Sequence, residues 1–343
     1  MKIFKVQKTM KIFYFLIGGN FMNDTLYLVI PCYNEEEVLP ITAKKLLLKI
    51  NTMIENEIIS KNSKILFVND GSKDKTWSII EELHNQNNIF SGINLSRNRG
   101  HQNALLAGLM TAKEVVDMTI SLDADLQDDV DVIDKFVEQY YNGSDIVYGV
   151  RSSRQTDTFF KRTTALVFYK LMNKLGVDSV YNHADYRLMS KRALKALSQF
   201  KEVNLFLRGI VPLIGYKSSI VEYERHERFA GESKYPLKKM LAFALDGITS
   251  LSIKPIRIIT TLGFSIVFFS FIALIYIFIV KFFGETVPGW TSLTLSIWLL
   301  GGIQLLSLGV IGEYIGKIYS ETKQRPRFII SDKLIDSDKT DKI

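Results

Sequence analysis

Cysteine and histidine are both scarce in this chain, which has one cysteine and four histidines among 343 residues. A single cysteine, Cys32, excludes an intrachain disulfide and a cysteine metal site. Its neighbours are strand-forming residues, so we expect a small buried side chain at this position. No spacing typical of metal ligands joins the four histidines, which are His84, His101, His183 and His226. Internal repeats and low-complexity segments are absent as well. No histidine or cysteine metal site is therefore expected.

Acidic residues are missing from residues 1–22, where four lysines supply four of the seven net positive charges. A second basic excess lies between Arg151 and Lys174, in an aromatic-rich segment that predicts an amphipathic interfacial helix. Beside apolar segments, such charge favours anionic lipid or phosphate over nucleic acid as a partner. The apolar run Ile12–Gly19 is short for a signal peptide, so residues 1–21 are expected to be a non-functional extension.

Two apolar runs, Ile258–Val280 and Thr286–Gly312, each exceed the roughly 20 residues that a membrane-crossing helix needs. They predict a transmembrane hairpin within residues 257–316, with helices at about 258–280 and 289–312, preceded by a juxtamembrane amphipathic segment at 236–256. Basic residues flank the pair on one side, from Lys254 and from Lys317 onward. The positive-inside rule then predicts a multi-pass protein of the bacterial plasma membrane, with catalytic domain and both termini in the cytoplasm. The tail, 317–343, is expected to be disordered beyond Arg327.

Short apolar runs alternate with helical patterns in the first half of the chain. Alternation of this kind predicts an α/β domain, at residues 22–235, with a doubly wound and mostly parallel sheet. In such sheets ligands bind at the carboxyl ends of the strands. The five predicted strands are Leu26–Ile30, Ile65–Val68, Gly92–Leu95, Met118–Leu122 and Asp145–Gly149.

Two carboxylates, Asp123 and Asp125, follow the fourth predicted strand at once, and Gln127 adds a third oxygen. Oxygen ligands suit a hard cation, so this motif predicts a Mg²⁺ or Mn²⁺ site that would hold the phosphates of a nucleotide sugar. The alternative is a solvated acidic loop. The position directly after an apolar strand favours the metal site.

Two further strand ends carry polar residues. Asp70 ends the second strand, where a carboxylate would accept a hydrogen bond from uracil or ribose; the alternative is a turn residue supporting Gly71. Arg97 follows the third strand and would contact nucleotide phosphates; the alternative is a solvated turn.

Four motifs at these strand ends resemble glycosyltransferase family 2, and more narrowly the polyprenyl-phosphate glycosyltransferases. The resemblance extends from about Leu26 to Ile330 and includes the sequence GEYIG at 312–316. It implies a GT-A fold, a divalent metal, a nucleotide-sugar donor and inversion at the anomeric carbon. The motifs are VIPCYNEE at 29–36, VNDGS at 68–72, RNRG at 97–100 and DADLQ at 123–127.

The resemblance also implies roles for individual residues. It assigns the nucleotide-sugar pocket to Pro31, Tyr33, Glu35, Asp70, Arg97 and Asp123, the metal to Asp123, Asp125 and Gln127, the lipid phosphate to Arg151 and Arg162, and the catalytic centre to Asp185, Arg187 and Asp125. The implied partners are a UDP-sugar, undecaprenyl phosphate, membrane lipids and further copies of the chain in a tetramer. UDP-glucose is the default donor, although Arg99 and the residues before Asp185 depart from the glucosyl pattern.

The acceptor in such a reaction is a phosphate monoester, which is largely dianionic at pH 7 and hardly needs a general base. Two roles stay open for Asp185: it orients Arg187 or a water, or it removes a proton. Two other functions are alternatives. A processive polysaccharide synthase would carry Arg before a tryptophan, which none of Trp77, Trp290 and Trp298 has. A non-catalytic membrane scaffold would not need the acids that the chain retains.

Overall fold

The computed structural model describes residues 23–151, 183–224, 254–282 and 289–335. Several predictions concern residues outside these ranges. They are the extension 1–21, the interfacial helix within 152–182 with Arg162, most of the juxtamembrane amphipathic segment 236–256, and the end of the tail from residue 336 onward.

One mixed sheet of eight strands organises the described residues, in the order β7-β5-β6-β4-β1-β2-β3-β8. The central strands β4, β1, β2 and β3 are parallel to one another. β6 is antiparallel to both β4 and β5, and β8 is antiparallel to β3. The strands are β1 Leu26–Cys32, β2 Lys64–Asn69, β3 Phe90–Leu95, β4 Met118–Ser121, β5 Ile146–Arg151, β6 His183–Ser190, β7 Ser218–Tyr223 and β8 Ile330–Leu334.

Helices cover both faces of this sheet, which is the doubly wound arrangement predicted. Every residue of β1 is buried, as expected of a central parallel strand between two helical layers. Leu28 of β1 packs in the cluster with α1, α2 and α4, whereas Val29 packs with α3, α5 and α6. The helices are α1 Leu39–Glu55, α2 Thr76–Gln86, α3 His101–Ala112, α4 Ile133–Tyr141, α5 Lys191–Leu197, α6 Leu207–Leu213, α7 Lys254–Phe282 and α8 Trp290–Thr322.

The first five strands confirm the predicted runs, but the sheet holds three strands that were not predicted. β6 lies between β4 and β5, so these two are not neighbours. β8 lies in the tail, where disorder was expected beyond Arg327; that expectation is wrong for Ile330–Leu334. This segment pairs with β3 and places Ile330 against the buried side chains of α3 and its neighbours. Main-chain pairing and apolar contact together offset the entropy of ordering the tail.

The prediction for the membrane does not hold. The two segments expected to span are helices α7 and α8. Crossing a bilayer takes about 20 consecutive apolar residues, and within the ranges described above no helix provides a stretch that is both long enough and apolar enough. The transmembrane hairpin is therefore unsupported, and this finding contradicts the predicted localisation as a multi-pass plasma-membrane protein with cytoplasmic termini.

Candidate active site

Loops that follow β1 and β2 are joined side by side at the carboxyl edge of the sheet. Asn34, with a positive φ of 53°, presents its side-chain oxygen to the Lys73 N–H at 2.9 Å. The backbone N–H of Glu35 donates to Thr76 Oγ1 at 2.9 Å. Of the predicted nucleotide residues, Pro31 is buried in β1, and Tyr33 is 38% exposed in the loop that follows. These contacts fix the two loops against each other, and we call the pair the rim of the candidate site.

Asp70 joins this rim to the loop after β3. Its side chain is buried, and its two carboxylate oxygens accept the backbone N–H groups of Arg99 at 2.7 Å and Gly100 at 2.9 Å. Burial raises the pKa of Asp70 although these two donors lower it. Gly71 next to it has φ +62°, and a Cβ there would lie 2.6 Å from the backbone of Arg97. Asp70 thus fixes the backbone of the loop after β3 in the structure, while its contact with a nucleotide stays a prediction.

The loop that carries the predicted metal ligands is anchored at several points. Ala124 O accepts the hydroxyl of Thr42 from α1 at 2.7 Å. Leu126 has a positive φ of 56°, and the Gln127 N–H donates to Asp125 Oδ1 at 3.2 Å. These contacts hold the backbone of the 123–127 loop in a defined conformation at the end of β4.

Asp185 meets Asp123 because of the register of β6. Ser121 is opposite Arg187 in the antiparallel β4–β6 pair, so Asp185 lies beyond the end of β4, level with Asp123. The guanidinium of Arg208, in α6, donates two hydrogen bonds to the Asp185 carboxylate. Nε donates to Oδ1 at 3.2 Å, and one terminal nitrogen donates to Oδ2 at 3.0 Å. Planar pairing of this kind is the strongest form of an arginine–carboxylate contact.

His101, the first residue of α3, lies between the two acids. Its Nε2 is 3.6 Å from Asp123 Oδ1 and 3.6 Å from Asp185 Oδ2. Burial lowers the pKa of His101, but the contact with Asp185 and the charge of Asp123 outweigh it and raise the pKa to about 9. Burial likewise opposes ionisation of Asp185, yet Arg208 and His101 hold the pKa of that carboxyl well below its usual range. The pKa of Asp123 is raised, because the surrounding protein desolvates its carboxyl, although part of the side chain is exposed, and because Asp185 and Asp125 add negative charge nearby.

Arg187 is buried on the same face of β6 as Asp185. Its side chain is 2% exposed, and one terminal nitrogen is 3.7 Å from Asp185 Oδ1. The guanidinium lies over the Tyr148 ring, 5.7 Å from the centroid. Burial lowers the pKa of Arg187 even though Asp185 raises it. Arg208 therefore pairs with Asp185 more closely than the predicted partner, Arg187, does.

A series of side-chain contacts connects Arg151, which is predicted to bind the lipid phosphate, to the loop that carries the predicted metal ligands. Tyr223 of β7 donates its hydroxyl to Asp128 Oδ1 at 2.6 Å, and Arg151 Nε donates to the same hydroxyl at 3.4 Å. Burial, with the charge of Asp123, raises the pKa of Asp128 to about 6 despite the hydrogen bond from Tyr223. Asp128 directly follows Gln127. Contacts of this sort couple the orientation of Arg151 to the loop that carries Asp123 and Asp125.

The donor set suits a hard divalent cation. Asp123, Asp125 and Gln127 offer oxygen atoms from one ordered loop, and the Asp123 side chain is 43% exposed. Among the described residues, no group of three or more acids, histidines or cysteines is arranged so that it could hold a metal ion by itself. Mg²⁺ is commonly held by only one or two carboxylates together with substrate phosphates. The residues present therefore fit a metal that binds along with a diphosphate.

The structure brings Asp123, Asp185 and Arg187 together and places Asp70 and Arg97 on the adjoining rim. Arg151 reaches the site through Tyr223, and Arg162 lies outside the described residues. Sequence reasoning missed His101, Arg208, Asp128 and Tyr223. His101 had a usable signal, because it begins the helix that follows a strand-end loop. Cys32 is buried in β1, as expected.

The model for the family "Glycosyl transferase family 2" matches residues 27–198, which contain every strand-end motif described above. The chain belongs to that family. Its resemblance to polyprenyl-phosphate glycosyltransferases is confirmed as well, and the mostly parallel α/β sheet agrees with a GT-A-type fold.

Relatives match over nearly their whole length. The chain is 58% identical to the uncharacterized glycosyltransferase YkoT of Bacillus subtilis over 305 residues, covering 89% of this chain and 90% of that protein. It is 43% identical to a prophage bactoprenol glucosyl transferase homolog of Escherichia coli, covering 88% and 97%. A solved structure of Mycobacterium tuberculosis glucosyl-3-phosphoglycerate synthase aligns with a TM-score of 0.45 at 16% identity, over 66% of this chain and 79% of that chain. A match that weak adds nothing to the family assignment.

Proposed function

We propose that this glycosyltransferase transfers a hexose, glucose by default, from a UDP-sugar to undecaprenyl phosphate, with inversion at the anomeric carbon. The observation that carries the proposal is the cluster at the end of β4, where Asp123 and Asp185 meet His101 and Arg208. The relatives named bactoprenol glucosyl transferase support a polyprenyl phosphate as the acceptor class.

In the proposed step an oxygen of the acceptor phosphate attacks the anomeric carbon. The bond between that carbon and the diphosphate oxygen breaks, and its electron pair leaves with UDP. A single displacement of this kind inverts the configuration. A phosphate monoester has a second pKa near 6 and is mostly dianionic at pH 7, so no proton needs to be removed from the nucleophile.

Asp185 is better suited to positioning than to base catalysis. Its carboxylate is held by both groups of the Arg208 fork, and its pKa lies well below the usual range. A general base works best with a pKa near the operating pH. The stronger of the two roles left open by the sequence is thus orientation of charged groups around the reacting centre.

Asp123, Asp125 and Gln127 would hold Mg²⁺ or Mn²⁺, which would neutralise the charge that develops on the leaving diphosphate. Arg97 and the rim at Tyr33, Glu35 and Asp70 would receive the nucleotide, and Arg151 and Arg162 the acceptor phosphate. Assembly of four chains stays a prediction. Charge stabilisation by fixed groups, rather than proton transfer, would supply most of the rate enhancement.

The test is incubation of the purified protein with undecaprenyl phosphate and a panel of labelled UDP-sugars, followed by extraction of lipid. We expect one labelled product carrying a single sugar, with UDP released in equal amount. Products carrying several sugars would favour the processive synthase. If no UDP-sugar gives either a lipid product or donor hydrolysis, an enzymatic function is refuted and the scaffold is favoured.

A further inference from the structure

Glu321, in the last turn of α8, grips a loop from a distant part of the chain. Its two carboxylate oxygens accept the backbone N–H groups of Val203 and Asn204, each at 2.8 Å. The side-chain amide of Asn204 donates to the same carboxylate, also at 2.8 Å. Three hydrogen bonds to one charged group, from residues 117 and 118 positions away, fix this stretch of backbone firmly.

The gripped loop leads directly into α6 and the pair at the active site. α6 begins at Leu207, whose N–H donates to the side chain of Gln102 at 2.8 Å. Gln102 follows His101 in α3, and Arg208 follows Leu207 in α6. The residue before α6 is Phe206, and its side chain makes no capping hydrogen bond to the helix. Two side chains from elsewhere, Glu321 and Gln102, therefore determine where the first turn of α6, and with it Arg208, is placed.

A second contact holds the same C-terminal stretch beside this loop. One terminal nitrogen of Arg327 donates to Phe200 O at 3.1 Å, and Phe328 packs against the cluster that contains α6. β8 follows at Ile330–Leu334 and pairs with β3. The chain that follows Glu321 is thus attached both to the loop before α6 and to the sheet, which supports the contact that Glu321 makes.

We propose that Glu321 is a positioning residue for catalysis, which fixes the backbone at 203–204 so that Arg208 is held in its two-point contact with Asp185. This rests on the proposed function only in taking Asp185 to act at the reacting centre. Asp185 is the residue at the reacting centre. Glu321 affects it only indirectly, because it fixes Val203 and Asn204 and thereby the position of Arg208.

The experiment compares Glu321→Ala and Glu321→Gln with wild type, alone and combined with Arg208→Lys. Glu202→Gln is the matched control, since it removes one negative charge next to Val203 and leaves the acceptor of the 203–204 hydrogen bonds in place. Turnover is measured both as transfer to undecaprenyl phosphate and as donor hydrolysis without acceptor. Amide hydrogen exchange is followed in the peptide that covers residues 203–213.

For Glu321→Ala we expect kcat to fall roughly 10- to 100-fold, because a displacement of about 1 Å at a catalytic group has effects of that size. The donor KM should stay within about twofold, as expected when only transition-state contacts are lost. Exchange should speed up locally at 203–213, with Glu321→Gln intermediate, because Gln keeps one acceptor oxygen. Since Glu321 acts through Arg208, the two effects on kcat should not add in the double variant.

Unchanged exchange at 203–213 would overturn the proposal, as would additive effects in the double variant. Faster exchange across the whole sheet would show a general loss of stability instead of positioning and would also overturn it. Absence of lipid product in wild type would count against the proposed acceptor, while the hydrolysis series would still decide the role of Glu321.

Discussion

Gly108 lets α3 lie directly on the sheet, and replacing it with alanine should be destabilising. A Cβ at this position would lie 2.4 Å from Val29 Cγ1 and 2.7 Å from Val68 Cγ2. Favourable contacts between carbon atoms lie at about 3.5–4.0 Å. Both valines are fully buried and β-branched, so neither can rotate away easily. Alanine at 108 therefore has to push α3 away from β1 and β2.

Two opposing contributions set the size of the effect. Overpacking a well-filled core destabilises by about 1–3 kcal/mol. Alanine in place of glycine within a helix stabilises by about 0.8–1.0 kcal/mol. Because both new contacts are shorter than 3 Å, we use the upper part of the first range and expect a net loss of about 1–2 kcal/mol.

The measurement is the free energy of unfolding from urea titrations of Gly108→Ala and wild type. Gly301→Ala in α8 is the control, because a Cβ there meets nothing within 4 Å and should not destabilise. Adding Val29→Ala to Gly108→Ala makes room, so the pair should couple by about 0.5–3 kcal/mol instead of adding. If the free energy of unfolding of Gly108→Ala lies within about 0.5 kcal/mol of the wild-type value, the reasoning is refuted, because ordinary surface substitutions have effects of that size.

Three further predictions concern the site. Asp125→Ala should abolish transfer while leaving the unfolding transition nearly unchanged, and retained turnover in EDTA would contradict the metal-dependent reaction. Tyr223→Phe removes the hydroxyl between Arg151 and Asp128; the acceptor KM should rise more than the donor KM, with about 1–3 kcal/mol lost from the free energy of unfolding. Asp185→Asn should be destabilising at pH 7. Because the folded-state pKa of Asp185 is lowered, this difference in unfolding free energy should persist down to about pH 4 and shrink only below it; a difference that shrinks between pH 7 and pH 5 would contradict the low pKa.

The sequence predicted the central strands because their physical signal is local. A parallel strand between two helical layers is buried on both faces, so it forms a continuous apolar run such as Leu26–Ile30. The polar residues that end these runs, Asp70 and Asp123, then lie at the same edge of the sheet. The family motifs repeat this pattern, which is why the edge of the sheet that carries the candidate site could be predicted.

The strands that were missed depend on pairing between distant parts of the chain. β8 is five residues long, and three of them are exposed, so it shows no apolar run. Its partner β3 lies more than 230 positions earlier. Arg208 likewise lies in a short helix, and nothing in the sequence of that helix predicts a contact with Asp185, although the guanidinium and the carboxylate lie 3.0 Å apart. Local patterns cannot predict contacts of this kind, because the energy that forms them comes from tertiary packing.

The insertion of β6 beside β4 explains why the site gathers so much charge. The parallel strands direct only their carboxyl ends to this edge, whereas β6 runs the other way and brings its first residues there. Asp185 thereby joins Asp123, and the raised pKa of Asp123 reflects desolvation of its carboxyl and this crowding of acids. His101 and Arg208 offset part of the negative charge on the protein side. A divalent cation arriving with a diphosphate would bring further positive charge to Asp123 and Asp125, so donor binding should relieve the repulsion among these acids, and the folded protein should be stabilised more by metal and UDP together than by either alone.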